Sequence, residues 1–456
     1  MELIYADIIP AMLLGVVFLA IFAGGELVRR AMPARPEMSR KFVHFFGGVT
    51  ALFFPYALRS PWTVLLMALL FAGFILLTKR KGLLQSVHGV SRSSSGAVYF
   101  PLAITLLFFL GHQRQVLYLI SVLALTVSDT LAALVGTRYG LITYQVEDSE
   151  RSLEGSLVFF FVTFLCVHLP LLLLTDTSRL QSVLIALVIA LLVTGFEAVS
   201  LAGSDNIYVP LGTFFVLAKM TRHDLASTIE QTGILFIIIA VTVVLSLLQK
   251  IFKPSGLIGM ILVNYAAWSL CDFSWFLPLL LAQVLLFLLV LSFRRQVPED
   301  ITNYQVKVLF YSAIVPVLLI FAANATDEYR RLYVPYLTAI VTQITLIFAF
   351  FLSISVDGGV LLQRLRRSRL LRGLFCTLAS TLMIAVVPLL LYPAIPFWMA
   401  AGLVPAGTMG AYLVFQRLTA ALPRDERGWV LRQRIRMIST GAAAAGVYLA
   451  QLLTGQ

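Results

Sequence analysis

Long, continuous apolar runs recur along the whole chain and constrain its fold more than any other feature. Each run, taken with its flanks, approaches or reaches the roughly 20 residues that a helix needs to cross a bilayer. Clear examples are Met12–Gly24, Val64–Leu77, Leu157–Leu174, Val183–Val193 and Ile234–Leu248. The runs are continuously apolar, whereas the strands of a membrane β-barrel alternate between apolar and polar residues. The sequence therefore predicts membrane-spanning helices.

We expect about sixteen such spans of roughly 20 residues each, which leaves room only for short loops. They are centred near residues 17, 50, 69, 104, 125, 164, 191, 213, 240, 264, 285, 316, 345, 382, 406 and 445. Because 60% of the 456 residues are hydrophobic and 12% are charged, a soluble fold would expose large apolar patches. The predicted fold class is an all-α, polytopic bundle in the membrane.

The net charge of +12 could indicate a nucleic-acid partner, but the distribution of the basic residues explains it differently. If the N-terminus lies outside, 27 of the 34 Lys and Arg residues fall in loops on the cytoplasmic side. This asymmetry follows the positive-inside rule. We therefore predict no nucleic-acid partner, an outside N-terminus and membrane lipids as the surroundings. The oligomeric state stays open.

Polar residues within the spans are concentrated in the first half of the chain. An ionisable residue inside a membrane helix is by default a mark of function. We therefore divide the chain into an active membrane domain, residues 1–222, and a second membrane domain of unknown function with about eight helices, residues 223–456.

Four polar segments of the first domain fall on the cytoplasmic face in this topology. They are SRKFVHFFGG from Ser39, SRSSSGAVYFPL from Ser91, VSDTLAALVGTRYG from Val127 with RSLEGS from Arg151, and EAVSLAGSDNIYVPLG from Glu197. In the third segment, small residues follow Asp129 at helical spacing, so a helix there leaves room beside the carboxylate.

The residue types in these segments fit a metal ion and a chain of phosphates. Oxygen ligands of the kind that Mg²⁺ prefers are supplied by Asp129, Glu154, Glu197, Asp205 and Asn206. Positive charge for phosphate oxygens is supplied by Lys41, Arg92 and Arg151. Glycines at 136, 140 and 155 allow close approach of the backbone to a polyanion. This combination indicates phosphoryl or nucleotidyl transfer on a lipid.

Each of these residues also has a purely structural interpretation. Glu154 fits a helix-capping box, and Asp205 with Asn206 fits a turn that caps the next helix. His44 is typical of a buried histidine with satisfied hydrogen bonds, and Lys41 of a charge that sets topology. The case for function depends on all of them sharing one face.

Taken together, RKFVH, GAVYFPL, SDTLAALVG, RSLEGS and DNIYVPLG resemble the polyprenol kinase family: dolichol kinase, phytol kinase and CTP-dependent diacylglycerol kinase. Phosphatidate cytidylyltransferases are more distantly similar. The resemblance covers roughly residues 35–220 and implies that CTP and its metal are bound by Asp129, Ala132, Gly136, Arg151, Ser152, Glu154, Gly155, Asp205, Asn206 and Pro210. Arg151 replaces the family's usual lysine, and Ala97 stands where relatives often carry an acid.

The resulting hypothesis is a kinase that moves the γ-phosphate of CTP to the hydroxyl of a lipid alcohol. Asp129 and Asp205 would hold Mg²⁺, Arg151 would offset charge on the transferred group, and Glu154 or Glu197 would position the metal or the hydroxyl. The alternatives are a cytidylyltransferase that makes a CDP-lipid, a lipid transporter or flippase, and an inactive membrane scaffold.

Overall fold

The computed structural model describes residues 2–33, 36–81, 84, 86, 96–147, 149–249, 253–293, 306–354, 360–392, 395–423 and 426–454. These residues are predominantly helical, and the chain divides into two compact units, Met1–Gly233 and Ile234–Gln456. The sequence predicts the boundary between the two domains after Arg222. What each unit does remains a prediction.

Unit 1 is a helical bundle with one short hairpin. Its helices are α1 (Glu2–Ala31), α2 (Pro36–Leu52), α3 (Phe54–Ala57), α4 (Pro61–Arg80), α5 (Gly96–Gly111), α6 (Gln115–Leu123), α7 (Asp129–Tyr139), α8 (Leu153–Leu174), α9 (Arg179–Val199) and α10 (Asp205–Met220). The antiparallel strands β1 (Thr143–Val146) and β2 (Ser149–Ser152) connect α7 to α8. Helix α11 (Leu225–Gln249) contains the boundary between the units.

Unit 2 is also helical, and one of its helices is buried along most of its length. Its elements are α12 (Pro254–Leu270), α13 (Phe273–Phe293), α14 (Val306–Thr326), α15 (Tyr329–Ile354), α16 (Val360–Arg367), α17 (Arg369–Ile384), α18 (Val386–Leu391), α19 (Phe397–Thr419) and α20 (Glu426–Leu453). Helix α15 is buried along most of its length. The fully buried Trp275, Tyr333 and Tyr336 lie in the core of the unit around it.

Eleven helices in the described part of the chain are long and apolar enough to cross a membrane, so this is a multi-pass membrane protein. All sixteen predicted centres fall in helices, but the count of sixteen spans is not confirmed. Helices α2, α5, α10 and α12 have only 16 or 17 residues. Such helices are about 24–26 Å long, which is less than a hydrocarbon core of about 30 Å. The orientation of the chain stays a prediction.

A π-helical turn, Ala124–Ser128, joins α6 to α7 and makes one continuous apolar helix of Gln115–Tyr139. π-Helical turns are rare and are found frequently at functional sites. The turn ends directly before Asp129. It therefore sets the direction in which this carboxylate leaves the helix.

Candidate functional site

The first polar contact of the site joins α2 to the start of α7. Lys41 Nζ lies 2.6 Å from Oδ2 of Asp129 and 3.3 Å from its backbone oxygen. His44 Nε2 lies 3.3 Å from the same Oδ2 and 3.3 Å from the carbonyl oxygen of Leu125. The side chains of Lys41 and Asp129 are only 8% and 15% exposed, so water screens their attraction weakly.

This contact follows from the close packing of α2 against the π-helical turn. Lys41, His44 and Gly48 are spaced at i, i+3 and i+7, so they share one face of α2. A Cβ at Gly48 would lie 2.0 Å from Oγ1 and 2.7 Å from Cβ of Thr126. Only glycine permits this approach, which brings the Lys41 ammonium within reach of Asp129.

The second polar contact joins β2 to the end of α9. Arg151 Nη1 donates to Oε1 of Glu197, and Nη2 donates to the backbone oxygen and Oγ of Ser200 at 3.3 and 3.1 Å. Burial lowers the pKa of Arg151, but the negative charges of Glu197, then Asp205, and more weakly Asp129, more than offset this and raise it. Three of the predicted acids therefore lie within electrostatic reach of one guanidinium.

The room that the small residues leave beside Asp129 is filled by the N-terminus of α8. A Cβ at Gly136 would lie 2.8 Å from Ser152 Oγ and 3.3 Å from the Cα of Gly155. A Cβ at Gly155 would lie 3.2 Å from the carbonyl oxygen of Ala132. Ser152 Oγ caps α8 by accepting the N–H of Gly155 at 3.1 Å. These residues pack α7 on α8, and their contact with a nucleotide stays a prediction.

Glu154 has a backbone role in the structure. Its carboxylate accepts the N–H groups of Leu141 and Ile142 at 3.0 and 3.1 Å, directly before β1. It thereby holds the end of α7 against the start of α8. The cap of α8 itself comes from Ser152, so Glu154 is not the third residue of a capping box.

Asp205 and Asn206 begin α10 beside this cluster. Asn206 Nδ2 donates to the carbonyl oxygen of Gly203 at 3.1 Å and lies 3.4 Å from Oδ1 of Asp205. Asn206 Oδ1 is buried and has no hydrogen-bond partner in the described part of the chain. An amide oxygen next to a carboxylate is thus left to accept an outside donor or a cation.

The expectation that the four acids surround a single ion stays a prediction. Among the described residues, no three His, Cys, Asp or Glu side chains lie close enough together to hold a metal. Asp129 and Glu197 are each paired with a basic side chain. Arg92 lies outside the described residues, and its predicted phosphate contact stays a prediction.

Two contributors were missed or undervalued at the level of sequence. The sequence alone suggests that His44 is an ordinary buried histidine. Its spacing of three residues from Lys41, however, places both residues on one face of α2. Ser200 had no signal of its own, since a serine after an apolar helix is common. Its place opposite Arg151 depends on how α9 packs against β2 and α8.

A comparison with known proteins shows which family the chain belongs to. The chain is 31% identical over 199 residues to a phytol kinase of Synechocystis sp., and the aligned region covers 43% of this chain and 85% of that kinase. This chain belongs to the polyprenol and phytol kinase family. No protein-family model matches it, and no solved structure matches it. More than half of this chain lies outside the aligned region.

Proposed function

We propose that this protein is a kinase that transfers the γ-phosphate of CTP to the hydroxyl of a lipid alcohol of the prenol type. The observation that carries the proposal is the similarity to a phytol kinase over most of that enzyme's length. The two buried ion pairs, Lys41 with Asp129 and Arg151 with Glu197, support it because they gather charge of both signs at adjoining helix ends. Such a transfer depends mainly on positioning and electrostatic stabilisation.

Arg151 and Lys41 are the residues proposed to meet the phosphates, with Arg92 as a third. Arg151 Nε is buried and has no hydrogen-bond partner among the described residues, so this guanidinium still has a donor to offer. Lys41 is held by Asp129. A polyphosphate would compete for its ammonium, and the exchange would leave the Asp129 carboxylate with only His44 beside it. Glu197 would position Arg151.

The residues present fit a magnesium ion that is shared with the nucleotide. Mg²⁺ typically takes one or two carboxylates together with substrate phosphates, so it does not require a cage of three protein ligands. Asp205 and the unpartnered Oδ1 of Asn206 would supply oxygen ligands, and Asp129 would be a further ligand once Lys41 binds phosphate instead. When bound, the ion would neutralise charge on the phosphates.

His44 is proposed to accept the proton of the lipid hydroxyl. Its ring contacts Asp129 on one side and packs edge-on against Phe100 of α5, with ring centroids 5.1 Å apart. It therefore lies between a charged site and an apolar wall, where the hydroxyl of a lipid would arrive. This role offers a replacement for the acid that relatives often carry at the position of Ala97.

The decisive experiment uses purified protein with Mg²⁺, a panel of lipid alcohols and CTP labelled at either its α- or its γ-phosphate. We expect the γ-label to enter lipid, and chelation of Mg²⁺ to abolish this. Asp129→Asn and Asp205→Asn should each reduce transfer by at least about a hundredfold. Asp7→Asn is the matched control, because Asp7 is also a buried carboxylate of unit 1 but accepts the N–H groups of Arg59 and Ser60.

Two results would contradict the kinase proposal, and a third would contradict its metal assignment. Entry of the α-label would make the protein a cytidylyltransferase, and lipid movement across vesicles without nucleotide would make it a transporter. Full activity of both Asp129→Asn and Asp205→Asn would remove the metal assignment while leaving the kinase activity in place.

We further propose that the site faces the cytoplasm, where CTP is available.

A further inference from the structure

An apolar groove of about 770 Å³ lies in unit 1 between α1, α4 and α5. Its walls include Phe18, Phe22, Met67, Phe71, Phe100 and Ile104. No charged side chain is among the described residues that line it. Of its two threonines, Thr105 donates to the carbonyl oxygen of Pro101, and Thr63 Oγ1 is buried without a hydrogen-bond partner among the described residues. The groove therefore offers contact to hydrocarbon and little to polar groups.

The groove reaches the candidate site at one end. Helices α1 and α2 run antiparallel, since Gly25 approaches Val43 while Phe18 lies next to Gly47. A Cβ at Gly47 would lie 3.6 Å from Phe18 and 3.9 Å from Phe100, two residues of the groove wall. Phe100 in turn packs against His44, whose Nε2 lies 3.3 Å from Asp129. One aromatic ring thus separates the hydrocarbon surface from the charged cluster.

The dimensions of the groove restrict what can occupy it. Ile8 and Phe22 both line it and are 14 residues apart on α1, so the groove follows this helix for about 21 Å. Its volume is within the range of roughly 300–1,000 Å³ that holds molecules of about twenty to thirty heavy atoms. A single chain of twenty carbons fits this description. A diacylglycerol, with two acyl chains and more heavy atoms than this range, does not.

We infer that this groove binds the hydrocarbon tail of the lipid alcohol, and that it selects a single isoprenoid chain of about twenty carbons, with the hydroxyl at the Phe100 end next to His44. This inference rests on the proposed kinase function and adds its substrate class. The apolar stretch of α1 between Ile8 and Phe22 sets the length of tail that the groove accepts.

A larger side chain at Gly15 would shorten the groove without disturbing the packing of the helices. Gly15 lines the groove midway between Ile8 and Phe22, and a Cβ added there meets no atom within 4 Å. Gly15→Phe would place a ring in the groove seven residues, or about 10 Å, along α1 from Phe22. Gly73 on α4 provides the matched control, since a Cβ there also meets no atom within 4 Å and Gly73 is absent from the wall.

The first arm of the experiment measures transfer to geraniol, with ten carbons, and to phytol, with twenty. Gly15→Phe should lower kcat/KM for phytol at least tenfold relative to geraniol, while Gly73→Phe leaves this ratio unchanged. An unchanged ratio in Gly15→Phe, or an equal shift in both variants, would overturn the inference.

The second arm does not depend on phosphate transfer, so it separates failure of the groove from failure of the kinase proposal. A phytol analogue with a diazirine at the end of its tail is photolysed with the full-length protein in detergent, and the labelled residues are mapped by mass spectrometry. We expect labels on α1, α4 and α5 that free phytol competes away, that Gly15→Phe abolishes and that Gly73→Phe retains. Labels elsewhere, or equal competition by diacylglycerol or phosphatidylcholine, would show a nonspecific lipid surface and overturn the inference.

Discussion

The contact between Lys41 and Asp129 should be one of the strongest single interactions that hold α2 in place. The two charged atoms are 2.6 Å apart, and both side chains are largely buried. Asp129→Asn leaves the Lys41 ammonium without a counter-charge, and Lys41→Met leaves the Asp129 carboxylate with only His44. Removal of one partner of a buried ion pair destabilises a protein by about 3–5 kcal/mol.

These values translate into a measurable shift of the thermal midpoint. For a unit of 233 residues, 1 kcal/mol corresponds to about 2–4 °C, so a loss of about 3 kcal/mol lowers Tm by about 6–12 °C. The double variant has neither buried charge. It should therefore lose about as much stability as one single variant, which gives a coupling energy of about 3 kcal/mol.

The assay is thermal unfolding of the detergent-solubilised protein and its three variants, followed by tryptophan fluorescence. Arg40→Met is the control on the same helix, since Arg40 forms a partly exposed ion pair with Glu37 at 3.6 Å. A pair of this kind contributes at most about 1 kcal/mol, so Tm should fall by less than about 4 °C. If the losses of the two single variants simply add in the double variant, the ion pair does not stabilise α2 and our reasoning about the site is wrong.

Two further predictions concern the packing and the charge of the site. Gly48→Ala should destabilise the protein by about 1–3 kcal/mol, because the added methyl group overlaps Thr126, and Thr126→Ala should restore part of the loss. Gly73→Ala is the control in thermal unfolding, and an equal effect of both alanines would contradict the close approach of α2. Arg151→Lys keeps the charge but loses the paired hydrogen bonds to Glu197 and Ser200, so phosphate transfer should fall no more than about tenfold. Arg151→Gln also removes the charge and should reduce transfer at least about a hundredfold. The γ-label assay measures both, and equal activities would show that the charge of Arg151 is not needed.

The sequence by itself determined that this is a helical membrane protein and which residue types bear on its chemistry. Apolar runs of bilayer length admit little other than helices, because backbone polar groups must be satisfied within the segment. The spacing of Asp129, Ala132 and Gly136 likewise fixed one stripe of α7 in advance, since helical periodicity is a local property.

Only the tertiary structure decided what those residues contact. Lys41 meets Asp129 across 88 positions, and Arg151 meets Glu197 across 46. The small residues that follow Asp129 on α7 pack against Gly155 and Ser152 at the start of α8. Such pairings depend on the depth, rotation and separation of whole helices, and these are set by packing among all of them at once. A periodic pattern in one helix carries no information about its neighbours, which is why the grouping of charges and the groove along α1 appear only in the folded chain.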